Sequence, residues 1–243
     1  MWAALLDLVL PQPCAGCGGP TAWCSSCAQL LVAAAISPVG ETRPDPAPPG
    51  FPRAATAAVY DGAVRAALLA HKERGRLALV RPLGQALAAA VASLEPPRGF
   101  VLTAVPSSRA AVRQRGHDHA LRLARSAART LGTSGRPVRV LRLLRPSRRV
   151  GDQSGLDAAA RAANLAGAFQ VSRRVPAGTC VVVVDDVVTT GATLAEASRA
   201  LTAAGIQVHG AATVAATVRR PDHRSGGTSV QQPFRGLPSE AAL

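Results

Sequence analysis

The sequence predicts an α/β fold, a parallel sheet flanked by helices, with a small four-cysteine module ahead of it. Three observations predict it. From Ala54 onward, short apolar runs alternate with helix-length segments, the pattern of a parallel sheet with crossover helices. Cys180 to Val184 is an unbroken apolar, valine-rich run, as a strand buried on both faces requires. Cys14, Cys17, Cys24 and Cys27 cluster near the start, and a proline-rich stretch separates them from the rest.

In chain order, residues 1–10 read as a short apolar helix stopped by Pro11, and Gln29 to Ile36 as a second. Pro38 to Pro52, with six prolines and two glycines, reads as an extended linker. Thr56 to Tyr60 is a candidate strand, Val64 to Lys72 and Leu77 to Leu94 candidate helices. Phe100 to Val105 reads as a buried strand ending at Pro106. Arg109 to Gly116 is expected as a basic loop, Ala120 to Leu131 as a helix, and Val138 to Leu144 as an edge strand. Pro146 to Gly155 is loop-like and Leu156 to Leu165 helical. Ala192 to Ala204 is a helix closed by Gly205, and Ile206 to Val214 the next strand. Pro221 to Leu243 is polar and rich in Gly and Pro, the composition of a disordered tail. The expected organisation is therefore a module over 1–37, a linker over 38–53, the sheet domain over 54–220 and a tail over 221–243.

The chain has 243 residues, 48% of them apolar but only 3% aromatic, so the core must be built from Ala, Val and Leu. The formal net charge is +14. That fits an anionic partner such as nucleic acid or a phosphorylated ligand; a coding bias explains arginine in place of lysine, but not arginine in place of glutamate. Lys72 is the only lysine. No run approaches the roughly 20 apolar residues of a membrane-spanning helix. Met1 to Leu10 carries Asp7 and no basic residue, unlike a signal peptide. A cytoplasmic location is expected, where cysteines serve as metal ligands or catalytic groups more often than as disulfides.

The cysteines form two C-x2-C knuckles, Cys14/Cys17 and Cys24/Cys27, with Gly16, Gly18 and Gly19 permitting sharp turns. Four thiolates at this spacing suit tetrahedral, structural Zn2+; an iron–sulfur cluster or disulfides are the other assignments. Cys180, at the start of the buried strand, reads as a small core residue.

The strand Val181 to Val184 delivers Asp185 and Asp186 to its carboxyl end, where open parallel sheets bind ligands. Thr189, Thr190 and Gly191 then form a tight turn into a helix opening at Ala192. Backbone N–H groups there, with the hydroxyls of Thr189, Thr190 and Thr193, make an anion cradle. Two carboxylates would repel a lone phosphate. A ribose between them and the phosphate resolves this, because its hydroxyls donate to the carboxylates. No Gly-Lys-Ser/Thr follows the strand, so this is not a Walker loop. The plainer alternative is a buried strand whose acidic residues cap the next helix.

Val181 to Thr193 resembles the phosphoribosyl pyrophosphate signature of type I phosphoribosyltransferases. More narrowly, the chain over roughly residues 5–216 is similar to the ComF competence family. The residues that carry this are the four cysteines, Tyr60-Asp-Gly62, Arg65, Lys72, Val105-Pro106, Arg115-Gly116, Gln153, Arg161, Asn164 and Ala168-Phe169. Where that family has Phe-Asn-Gln, this chain has His117-Asp118-His119. These two histidines read as surface or loop residues without metal-like partners.

The resemblance implies a type I phosphoribosyltransferase fold with an N-terminal zinc module, binding phosphoribosyl pyrophosphate with Mg2+. Asp185, Asp186 and Arg115 would serve the reaction. Thr189, Thr190, Gly191, Ala192 and Thr193 would hold the 5′-phosphate. Arg109, Arg113 and Lys72 would face the pyrophosphate. Gln153, with Arg148 and Arg149, would belong to a hood that closes over the site. The reaction would displace pyrophosphate at the anomeric carbon, with an acceptor that is not legible. The alternative implied by the same resemblance is a non-catalytic factor that handles single-stranded DNA in competence or recombination. A salvage enzyme for a free base ranks below both.

Overall fold

A computed structural model describes residues 12–36, 41–147 and 165–217. The expectations for residues 1–10, the tail over 221–243, and most of the hood and its helix lie outside these residues, as do Arg148, Arg149, Gln153, Arg161 and Asn164.

The elements in order are α1 (Ser25–Ile36), β1 (Ala54–Val59), α2 (Gly62–Arg74), a 3-10 turn (Leu77–Leu79), α3 (Val80–Ser93) and β2 (Val101–Ala104). There follow α4 (Arg109–Arg115), α5 (His119–Thr133), β3 (Arg139–Val140), β4 (Leu144–Pro146), β5 (Phe169–Val171), β6 (Cys180–Val188), α6 (Ala192–Ala203) and β7 (Gln207–Ala216). Five strands form a sheet in the order β1-β7-β6-β2-β3, parallel throughout. β4 and β5 form a separate antiparallel pair.

β6 is the buried strand that the valine run predicts. It extends over nine residues and includes both aspartates. Val181, Val182, Val183 and Val184 are each 0% exposed. Successive side chains of a strand point to opposite faces, and here each face has its own core. Val182 and Val184 pack with Leu83, Leu87, Leu102 and Leu123 from the side of α3 and α5. Val181 and Val183 pack with Leu143, Leu194 and Leu201 from the side of α6 and the β4–β5 pair. Burying each valine stabilises the fold by on the order of 1.5–3 kcal/mol. Small residues set the helix spacing: a Cβ on Gly84 of α3 would collide with Ser126 of α5, so the two helices meet closely.

Two sequence expectations are corrected. The segment Arg109 to Gly116 is not a loop but helix α4. Ser108 caps it by accepting from Ala111 N (3.1 Å), and Gly116, at φ 73°, ends it. These are the ordinary start and stop signals of a helix, obscured by the density of arginine between them. The single strand expected over Val138 to Leu144 is split. Only Arg139–Val140 pairs with β2. Leu143 N then donates to Leu141 O (3.1 Å) and to the Thr103 hydroxyl (3.3 Å) rather than to a β2 carbonyl. From there the chain leaves the sheet, and Leu143 and Leu144 are buried on the α6 side.

The amino-terminal segments lie on the sheet domain. The Cys cluster touches the start of α2: a Cβ on Gly16 would sit 2.6 Å from Cys27 Sγ and 2.9 Å from Ala63 Cβ. Arg76 donates to Pro13 O (2.6 Å) and Gln12 Oε1 (2.7 Å). Glu41 bridges Ala55, so part of the proline-rich stretch returns along β1. Among the described residues, no helix is long and apolar enough to cross a membrane.

Candidate active site

The carboxyl ends of β1, β2 and β6 converge on one cleft of about 390 Å³. β6 contributes Asp185 and Asp186. The turn after it contributes Thr189 and, at the start of α6, Thr193. Tyr60 follows β1, Lys72 comes from the last turn of α2, and Val105 to Ser107 follow β2. His119, the first residue of α5, completes the wall.

The two aspartates are not equivalent. Asp186 is 5% exposed. Its Oδ2 accepts from Lys72 Nζ at 2.9 Å and lies 3.4 Å from His119 Nε2. Its Oδ1 accepts from Val187 N at 3.0 Å. Burial alone would raise its pKa, but the hydrogen bond from His119 and the charge of Lys72 outweigh it and hold the carboxyl well below the usual range. Asp185 is half-buried, and its Oδ1 accepts from Asp186 N (2.8 Å). Burial, then repulsion from Asp186, push its pKa well up, against the pull of Lys72. For Lys72, burial works against the charge, but Asp186 and Asp185 prevail and raise its pKa.

A second line of contacts stands behind His119. Its Nδ1 lies 3.4 Å from Ser107 Oγ, and that hydroxyl donates to Asp118 Oδ1 (3.3 Å). Asp118 caps α5 by accepting from Leu121 N (3.2 Å), and its other oxygen lies 3.7 Å from Arg142. The imidazole thus lies between Asp186 and Ser107.

Helices α2, α4 and α5 each take a side-chain cap, from Asp61, Ser108 and Asp118. Among the described residues no side chain caps α3 or α6, and at α6 Gly191 holds the cap position at φ 77°. The first-turn N–H groups of a helix have no intrahelical acceptors, and the hydroxyls of Thr189 and Thr193 stand beside them at the cleft. Behind the turn, Gly191 is pressed against the proline-rich segment. A Cβ there would sit 2.7 Å from the Phe51 ring and 2.8 Å from Pro44.

Of the residues singled out in the sequence, Asp185, Asp186, Lys72, Thr189 and Thr193 line the cleft. Thr190, Gly191 and Ala192 build its turn without lining it. Arg115 stands beside it, paired through Nε with Glu73 Oε2 (2.9 Å). Arg109 is exposed at the start of α4 and does not line the cleft. The reading of His117 and His119 as surface residues is corrected: they are 9% and 6% exposed. His119 also has partners, since its ring and the carboxylates of Asp185 and Asp186 offer ligand atoms within 4.8 Å of one another. Sequence reasoning missed His119, Ser107 and Tyr60 as site residues. The legible signal was Asp118, a helix cap that puts His119 at the first helical position above the carboxyl ends of the strands.

The four cysteines converge as their spacing predicts. Their sulfurs lie within 4.8 Å of one another, near the roughly 3.8 Å separation that a tetrahedron with Zn–S of about 2.3 Å imposes. All four are free thiols. Cys24 N points at Cys14 Sγ (3.4 Å) and Cys27 N at Cys24 Sγ (3.4 Å). Burial opposes ionisation of Cys14, yet the N–H groups of Cys24, Cys17 and Gly16 bring its pKa down to about 6. Burial and the neighbouring sulfurs push Cys27 up. The cluster can hold a metal ion.

Residues 119–235 match the family model of the phosphoribosyl transferase domain. The match supports the type I phosphoribosyltransferase superfamily, and the five-stranded parallel sheet flanked by helices fits that fold. It covers Asp185, Asp186 and the turn into α6. It begins after Lys72, Ser107 and α4. No curated protein matches the chain.

Proposed function

We propose that the cleft binds phosphoribosyl pyrophosphate with Mg2+ and transfers the phosphoribosyl group to an acceptor, as the resemblance to ComF proteins implies. One arrangement carries this reading: two carboxylates at the end of β6, an uncapped helix start with threonine hydroxyls beside them, and a lysine opposite. A phosphate fits the turn into α6. Ribose hydroxyls fit Asp185 and Asp186 as donors. The pyrophosphate falls on the side of Lys72 and of Arg115, which Glu73 holds in place.

Bond cleavage at the anomeric carbon develops positive charge on the sugar and negative charge on the leaving group. The carboxylates stabilise the former, Lys72 and Arg115 the latter. Bound magnesium would neutralise part of the pyrophosphate charge. The four cysteines would hold zinc in a structural role, since four thiolates leave no open coordination position. Gln153 and the expected hood, as well as Arg109, belong to this proposal through the resemblance alone.

Calorimetric titration tests it. Asp185→Asn with Asp186→Asn should weaken binding of magnesium phosphoribosyl pyrophosphate through lost ribose contacts. A mere anion pocket would bind more tightly once the carboxylates are gone, and that outcome sinks the ribose reading.

A second reading, single-stranded DNA binding, draws on Arg122, Arg125 and Arg129, which recur along one face of α5, with Arg125 and Arg129 exposed. It expects weak, sequence-independent binding that falls steeply with salt. Absence of binding at low salt rejects it.

A further inference from the structure

We propose that His119 is a positioning residue, the standby partner of Asp186 that keeps this carboxylate compensated when Lys72 turns to a bound ligand. The inference rests on the reading of the cleft as a phosphoribosyl pyrophosphate site.

Two nitrogen-bearing side chains converge on a single oxygen. Lys72 Nζ lies 2.9 Å and His119 Nε2 3.4 Å from Asp186 Oδ2. The other oxygen is already taken by Val187 N (3.0 Å). Asp186 is almost fully buried, and a buried carboxylate that loses its partner is strongly destabilised.

The two side chains differ in freedom. Lys72 carries its ammonium on a flexible four-carbon stem with 31% of the side chain exposed, whereas the His119 side chain is 7% exposed. Ser107 holds the back of the imidazole, and Ser107 is in turn tied to Asp118, the cap of α5. A polyanion entering the cleft can draw the ammonium towards itself, but the imidazole cannot follow. The departing lysine would leave Asp186 without its ammonium partner at the moment when the carboxylate is needed beside the ribose. His119 removes that cost.

This handover has an energetic signature. With Lys72 present, the free protein sets the ammonium and His119 against Asp186 Oδ2, and the liganded protein exchanges the ammonium for a neutral ribose hydroxyl while His119 stays. Deleting His119 therefore harms the liganded state more than the free state and weakens binding. With Lys72 replaced by methionine, no ammonium leaves Asp186 on binding, and the ribose hydroxyl only adds to His119 in the liganded state. Deleting His119 then harms the liganded state no more than the free state and does not weaken binding.

The test is calorimetry with magnesium phosphoribosyl pyrophosphate on wild type, His119→Leu, His119→Gln, Lys72→Met and Lys72→Met/His119→Leu. His119→Leu should bind about ten- to hundred-fold more weakly, the loss of a hydrogen bond to a charged group. His119→Gln keeps an N–H donor and should recover most of that affinity. The double variant should bind no more weakly than Lys72→Met. Unchanged affinity in His119→Leu, failure of glutamine to rescue, or losses that simply multiply in the double variant would each overturn the handover. Failure of the wild type to bind would instead overturn the site reading beneath it. Should His119→Leu not fold, His119→Asn carries the same expectations, because its shorter amide falls short of Asp186.

Discussion

Lys72 Nζ and Asp186 Oδ2 meet at 2.9 Å across 114 residues of chain, joining the last turn of α2 to the end of the central strand. Asp186 is held below its ordinary carboxylate pKa, so the stability it contributes is present above that ordinary value. It is lost as pH falls through the lower, folded value. Lys72→Met should lower the stability of the free protein by about 1–3 kcal/mol, because His119 remains on Asp186. Lys72→Arg should not restore ligand affinity, since a planar guanidinium does not replace a compact ammonium. Urea unfolding and calorimetry on the two variants check this; full recovery by arginine contradicts it.

His71 gives a separate pH signature. It is 0% exposed, and among the described residues neither ring nitrogen has a hydrogen-bond partner of ordinary geometry. Burial lowers its pKa to about 4 from 6.5. The unfolded chain therefore binds a proton between pH 6.5 and 4 that the native protein refuses. Stability should fall across that window as pH drops, by roughly 3 kcal/mol, and this contribution levels off below about pH 4. His71→Phe should flatten the profile between pH 6.5 and about 4.5. A variant that keeps the full slope would assign it to other groups.

Gly191→Ala should destabilise the protein and weaken sugar-phosphate binding together. The left-handed backbone costs an alanine about 1–2 kcal/mol, and the new methyl meets Phe51 and Pro44. Adding Phe51→Ala should recover the steric part and leave the backbone part. Denaturation midpoints of the four proteins in this cycle separate the two; strictly additive losses would mean that the phenyl ring is not what the methyl strikes.

One zinc per chain is expected from the cysteine cluster. Cys14→Ser with Cys17→Ser should abolish it and lower the melting temperature, since Gly16 and Cys27 lie against Ala63 at the start of α2. Elemental analysis that finds iron, or no metal, rejects the assignment.

Much of this architecture was legible because one strand is unusually explicit. The valine run and the Asp-Asp, Thr-Thr-Gly order locate β6, its carboxyl end and the turn into α6 without further help. Lys72 stood out as the only lysine. Other parts were hidden for specific reasons. Helix α4 looked like a loop because five of its seven residues are Arg, Gln or Val and it shows no apolar stripe. At the split after β3, Leu143 N turns to Leu141 O and the Thr103 hydroxyl, and the contact with Thr103 is one that no local pattern encodes. His119 was passed over because a histidine next to a basic segment resembles surface. Only the cap at Asp118, read in three dimensions, turns it towards Asp186.

The strand order has a consequence for how the chain can be divided. β1 and β2 come early in sequence yet lie on opposite sides of the β6–β7 pair. Cutting the backbone once, at exposed Gly116 between α4 and α5, would produce two pieces whose strands interleave: β1 and β2 from one, β3, β6 and β7 from the other. Neither piece could complete a sheet alone, so the two should remain clasped after the cut and should find each other again when mixed. Lys72 would come from the first piece and Asp186 from the second, which makes ligand binding itself a gauge of reassembly.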